Sequence, residues 1–167
     1  MTVYSNKDVA EQFPKVKVLE PMKRYKIGVF QITALPVEHN VECYGYIIDH
    51  SEMGRLVFYT DTKSFNFRIP DVNYILGEVN FSEDIVIDNI CNGEEIRSQF
   101  NNHMSLDTAI EVVRRLYNPR LSSVWCCHLS DSNSSEKKIY ERFKNELGIE
   151  VDFCDSGKVF TLQREDF

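Results

Sequence analysis

No stretch of about 18 consecutive apolar residues occurs in the chain, so no membrane-spanning helix is expected. Met1 to Lys7 is polar and lacks the basic-then-apolar pattern of a secretory leader. There is no low-complexity tract, internal repeat or linker-like segment, which leaves a single domain over 1–167 as the expectation. Charge of one sign never runs for long. The five cysteines, Cys43, Cys91, Cys126, Cys127 and Cys154, are an odd count with no CxxC pair. A disulfide framework is therefore not expected, and reduced thiols in a cytoplasmic setting are. Adjacent Cys126 and Cys127 would face opposite sides of a strand and so would not bridge each other.

What is present suits an ordinary globular protein. Hydrophobic residues make up 43% of the 167, enough for a real core, and charged residues 27%. The formal charge of −7 argues against broad duplex binding through a basic surface.

The first half reads as sheet. Short strands are expected at Val3-Tyr4 and Val16 to Leu19, flanking a short helix near Lys7 to Gln12. A ribbon of Arg24 to Ile27 and Val29 to Val37 turns at Gly28, and Tyr44 to Asp49 pairs with Arg55 to Thr60. Asn73 to Gly77 is a further short strand. The second half changes period. A helix is expected over Glu83 to Ser98 with Ile87, Ile90 and Ile96 inward. Another runs from Leu106 to Tyr117 behind a Ser105 cap, with Leu106, Ala109, Ile110, Val113 and Leu116 on its apolar face. A third is expected behind Asn133, with Glu136 three residues on. It presents Ile139, Phe143 and Leu147 and closes at Gly148. Strands at Val124 to His128, Glu150 to Cys154 and Lys158 to Leu162 complete the reading. Strands first, then strands alternating with helices, imply an α/β layered sandwich.

Of four histidines, His50 falls in a polar hairpin turn and is expected to face solvent. The others mark junctions: His39 follows a long strand, His128 ends an apolar one, and His103 precedes a helix cap. Asp61 also ends an apolar strand. Strand ends that open into loops are where layered α/β folds build sites, and imidazole with carboxylate suits zinc or manganese. The spacing alone fits hydrogen-bonded loop residues equally well, and Glu78 taken alone reads as a solvated or capping carboxylate.

Read in order, five words narrow the choice: Leu35-Pro-Val-Glu-His-Asn with Tyr44-Gly-Tyr-Ile-Ile, Leu56-Val-Phe-Tyr-Thr-Asp-Thr, Gly77-Glu-Val-Asn, His103-Met-Ser-Leu-Asp-Thr-Ala and His128-Leu-Ser-Asp-Ser-Asn. Together they resemble the later motifs of the metallo-β-lactamase superfamily. The nearest branch is that of phosphodiesterases and nucleases, which includes tRNA 3′-processing endonucleases and short phage members. The resemblance implies an incomplete αβ/βα sandwich of mixed sheets flanked by helices, matching about the C-terminal two-thirds of such a domain. It further implies that His39 is a ligand of a first metal, Asp61 bridges two metals and His128 serves the second. His103 would contact the substrate phosphate, with Glu78 orienting its imidazole and favouring the charged form. In intact relatives two zinc or manganese ions, about 3.5–4 Å apart, activate water for in-line attack on phosphorus.

The superfamily's leading word, His-x-His-x-Asp-His, does not occur, and no His or Cys precedes His39. That word supplies the larger share of the metal ligands. The expectation is accordingly a metal-dependent hydrolase of phosphodiester bonds, in nucleic acid or cyclic nucleotides, in truncated or split form. Alone it would hold two zinc or manganese ions weakly or not at all, since zinc sites usually need three or four protein ligands. An N-terminal complementing fragment or self-association would cover the apolar surface that the missing strands leave. The alternative is a non-catalytic remnant that binds a nucleotide or a protein in the same cleft. A β-lactamase proper fits less well, because the His103 and Glu78 words match the phosphodiesterase branch.

Overall fold

A computed structural model describes residues 2–93 and 102–163. Its spine is a seven-stranded mixed sheet in the order β3-β4-β5-β6-β7-β8-β9. The antiparallel half joins β3 (Arg24–Ile27), β4 (Phe30–Val37), β5 (Cys43–His50) and β6 (Gly54–Tyr59). From β6 onward the pairing is parallel, through β7 (Tyr74–Glu78), β8 (Ser123–Cys127) and β9 (Val151–Phe153). A small parallel pair, β1 (Tyr4–Ser5) and β2 (Lys17–Val18), flanks α1 (Lys7–Gln12). The ribbon turns at Gly28, whose φ of 63° lies in the left-handed region that glycine enters at little cost.

Alternation of side chains gives the sheet two distinct faces. One row runs Ile47, Val57, Ile75, Val124, Val151 across five strands in direct register. Upon it pack α3 (Leu106–Leu116) and α4 (Glu136–Leu147), forming the main core. Helix α3 buries Leu106, Ala109, Ile110, Val113 and Leu116 as its spacing requires, and Val112 as well. The Ser105 hydroxyl accepts from the Thr108 N–H at 3.2 Å, satisfying one of the free N–H groups of the first turn. Helix α4 buries Ile139 and Phe143 and ends at Gly148, φ 69°. The opposite face carries the row Tyr46, Phe58, Leu76, Trp125, with Met53, Tyr74 and Trp125 buried there.

Several expectations need correction. The cap of α4 is Ser135, whose hydroxyl accepts from Lys138 N–H. Asn133 lies two residues too early and instead donates to Ser130 and Ser132, bracing the preceding loop. Helix α2 spans Glu83–Cys91 and buries no residue, with Ile87 and Ile90 exposed; 94–98, including Ile96, lie outside the described residues. The 158–162 segment is not a strand. After a turn at Gly157 it leaves the sheet plane, because Phe160 and Leu162 find apolar surface over Trp125, and the Tyr74 hydroxyl donates to the Gln163 carbonyl. His50 is half-buried, its ring 4.9 Å from that of Phe30 and its Nδ1 accepting from Glu52 N–H.

Candidate metal centre

Parallel strands β6, β7 and β8 end on the same edge of the sheet, so whatever follows each strand meets there. Asp61 comes two residues after β6, Glu78 is the last residue of β7, and His128 comes directly after β8. His39 follows β4, which runs antiparallel to β5 and so finishes at this edge too. His103 arrives from the segment leading into α3. The five residues singled out in the sequence thus converge.

Asp61, His103 and His128 each place one ligand atom within 4.8 Å of the others, the arrangement that would hold a metal ion. His128 Nδ1 lies 3.7 Å from Asp61 Oδ1. Both residues sit in the left-handed backbone region, Asp61 at φ 52° and His128 at φ 58°. That region is uncommon for side chains other than glycine and persists only where surroundings impose it. His39 faces His103 edge-on with ring centroids 5.6 Å apart, and His103 meets His128 at 5.0 Å. His39 Nδ1 is 3.2 Å from the Asn102 carbonyl, which can only accept, so Nδ1 is the donor and Nε2 is the nitrogen left to face a metal ion. Metal-binding histidines are commonly oriented in this way.

Glu78 is not the solvated carboxylate that its position alone suggested: it is fully buried. Its Oε1 accepts from His103 Nδ1 at 2.6 Å and its Oε2 from the Thr62 N–H at 2.9 Å. Burial pushes its carboxyl upward from the ordinary value, opposed in turn by the Thr62 N–H and by the imidazoles of His103 and His128. Gly77 precedes it because the Tyr59 ring lies where a β-carbon would go, 2.4 Å away. The pairing leaves His103 Nε2 without a hydrogen bond to any of the described residues.

Two supporting residues escaped the sequence reading. Thr62 is buried; its backbone holds Glu78 while its hydroxyl donates to the Ser64 carbonyl at 2.7 Å. Asn80, 8% exposed, donates from Nδ2 to the His128 carbonyl at 2.7 Å. Their signal was faint: a threonine and an asparagine just past strand ends, a placement that loops also favour. A cavity of about 430 Å³ lies at the other end of the sheet, beside the β5–β6 turn. Its Arg55 and Arg120 are paired with Asp49 and Asp71, and none of the clustered residues lines it.

The donors, two imidazoles and a carboxylate with a third imidazole close by, suit a divalent transition metal. One tetrahedral ion could take the three clustered donors and keep a position open. A mixed sheet with α3 and α4 on one face and this cluster at its edge defines an α/β layered architecture, and comparison with solved structures specifies the fold. No protein-family model and no curated protein sequence matches the chain. Among solved structures it is similar to the metallo-beta-lactamase fold protein YhfI from Bacillus subtilis, with TM-score 0.72 and 21% identity over 95% of this chain and 64% of that one. It is similar to Zn(2+)-bound PqqB from Methylobacterium extorquens, with TM-score 0.66 and 14% identity over 95% and 64%. A diphosphatase from the PhnP family gives TM-score 0.56 and 15% identity over 93% and 55%. The chain has the metallo-β-lactamase fold. It spans 64% of the length of each of the first two.

Proposed function

We propose that this chain forms the catalytic edge of a metal-dependent hydrolase of phosphodiester bonds, in nucleic acid or cyclic nucleotides. The observation that carries the reading is the convergence of Asp61, His103 and His128, with His103 fixed by the buried Glu78, on the edge of this fold. A diphosphatase among the similar structures supports chemistry at phosphorus. His39, Asp61 and His128 are the proposed metal ligands, for zinc or manganese; His39 stands outside the three-donor cluster and on this reading takes the place there of His103, which turns to the substrate. A divalent cation held there polarises a phosphoryl oxygen and lowers the pKa of water.

His103 and Glu78 carry the substrate side. The carboxylate fixes the imidazole through Nδ1 and aims Nε2 outward; when the ring is charged, its Nε2–H donates to a phosphate oxygen or protonates the leaving oxygen. Thr62 keeps the carboxylate from rotating away. Further ligands come, on this reading, from an N-terminal complementing segment or a second copy of the chain.

Zinc and manganese content by elemental analysis, followed by hydrolysis of bis(p-nitrophenyl) phosphate, cyclic nucleotides and short RNA, tests the proposal. Joined to a segment carrying His-x-His-x-Asp-His, the chain should take up metal and cleave at least one of these; alone it should bind metal weakly and turn over little or none. Complete inertness of that joined, metal-loaded protein refutes it. A non-catalytic nucleotide- or protein-binding remnant is favoured by one observation: only three donors cluster among the described residues. Near-stoichiometric zinc in the purified chain decides against the remnant.

A further inference from the structure

Beyond the residues that face the metal, we propose that Asn80 is the positioning residue of the site: its side-chain amide holds His128 in the one backbone conformation that brings the imidazole to Asp61. This rests on the reading of His128 as a ligand. The β7–β8 ladder ends with Glu78 opposite Cys127, followed by a last bond from Val79 N–H to the Cys127 carbonyl at 3.0 Å. One residue later β8 leaves the sheet through His128, whose φ of 58° turns the chain aside. There, among the described residues, no backbone N–H donates to the His128 carbonyl. Asn80 supplies one from its side chain at 2.7 Å.

Its main chain ties down the surroundings. Asn80 N–H donates to the Met104 carbonyl at 2.8 Å, next to His103, and the Asn80 carbonyl accepts from Ser130 N–H at 2.9 Å, two residues beyond His128. Any residue would make those two bonds. Only the side-chain amide reaches His128, so its removal frees one imidazole and leaves the other in place. Asparagine meets the need because its amide carries two donors and is short enough to stay buried. A left-handed histidine persists only where its surroundings impose it, and here the imposing group is visible.

The test uses Asn80→Ala and the near-isosteric Asn80→Leu, with Asn118→Ala as a control. Asn118 donates to the Val72 and Leu116 carbonyls, away from the cluster, and so reports the general effect of deleting a partly buried amide. In the metal-free protein, the HN–Hα coupling of His128 should leave its left-handed value in both Asn80 variants and stay put in the control. The ring resonances of His103, held by Glu78, should not move. Cobalt titration read by visible absorption should show affinity weakened about 10–100-fold, as expected for loss of an outer-shell partner, with an altered spectrum in the Asn80 variants alone. Wild-type His128 coupling together with wild-type cobalt affinity in the Asn80 variants overturns the proposal. If neither variant folds, the unsubstituted protein answers: a through-hydrogen-bond coupling between the Asn80 amide and the His128 carbonyl is expected, and its absence overturns the assignment. If the unsubstituted chain binds no cobalt, the metal reading falls, and the His128 coupling alone decides the role of Asn80.

Discussion

Removing the Glu78 carboxylate should cost the protein a large share of its stability and change which nitrogen of His103 carries the proton. Glu78→Ala leaves the Thr62 N–H without its acceptor in a buried setting, at about 1–3 kcal/mol, and deletes a charge-assisted bond to His103 of about 1.5–3 kcal/mol. Burial works against the charged carboxylate, so part of that loss is offset, and a net cost of about 2–4 kcal/mol follows. Domains are stable by only about 5–15 kcal/mol, so the change is easy to read from urea unfolding. Glu78→Gln separates charge from shape. Its carbonyl oxygen must face the Thr62 N–H, so its NH₂ faces His103 Nδ1, which then has to accept. The proton moves to Nε2, at a cost of about 1–2 kcal/mol from exchanging a charged acceptor for a neutral pair. Ring nitrogen shifts of labelled His103 show the exchange directly. If Glu78→Ala unfolds within about 0.5 kcal/mol of the parent, the scale of an ordinary surface change, the buried pair does not have the energetic role assigned to it.

Gly77→Ala should destabilise the fold by about 1–3 kcal/mol by thermal unfolding, because the added methyl meets the buried Tyr59 ring; unchanged stability would refute that packing. With Ellman's reagent, exposed Cys91 and Cys154 should react first, while Cys126, which is buried, and Cys127, whose thiol burial pushes up to about 12, should lag until denaturant is added. Equal rates for all five would contradict the β8 assignment. Asp61→Asn and His128→Ala should each abolish zinc-dependent stabilisation, which amounts to about 2.7 kcal/mol at a hundred-fold excess of ion over Kd; a preserved Tm shift in both would remove these residues from the site.

Legibility followed the range of the interaction. Helix α3 was readable but for Val112 and its last residue, because a Ser105 cap and a stripe at three- and four-residue spacing are local. The ribbon at Gly28 and the stop at Gly148 were legible for the same reason. Helix α2 shows the limit: Ile87 and Ile90 have the spacing of an inward face and yet stay exposed, with no described residue packed over them. The 158–162 segment has strand-like composition but packs across the sheet, a choice made by Trp125, more than thirty positions away in sequence. Glu78 could be named from its neighbours in the chain; its complete burial could not, because Thr62 and His103 supply its partners from other loops.

From its order of residues alone, this chain determined where most of its strands and helices fall and which polar residues stand at strand ends. Those are matters of backbone preference and side-chain period, decided within a few neighbouring positions. The tertiary structure decided that Asp61, His103 and His128 share one small volume, that Glu78 loses its water, and that Asn80 grips the carbonyl of a histidine. Each of those depends on parallel strands ending side by side, and strands far apart in the chain become neighbours only when the sheet closes its ladder.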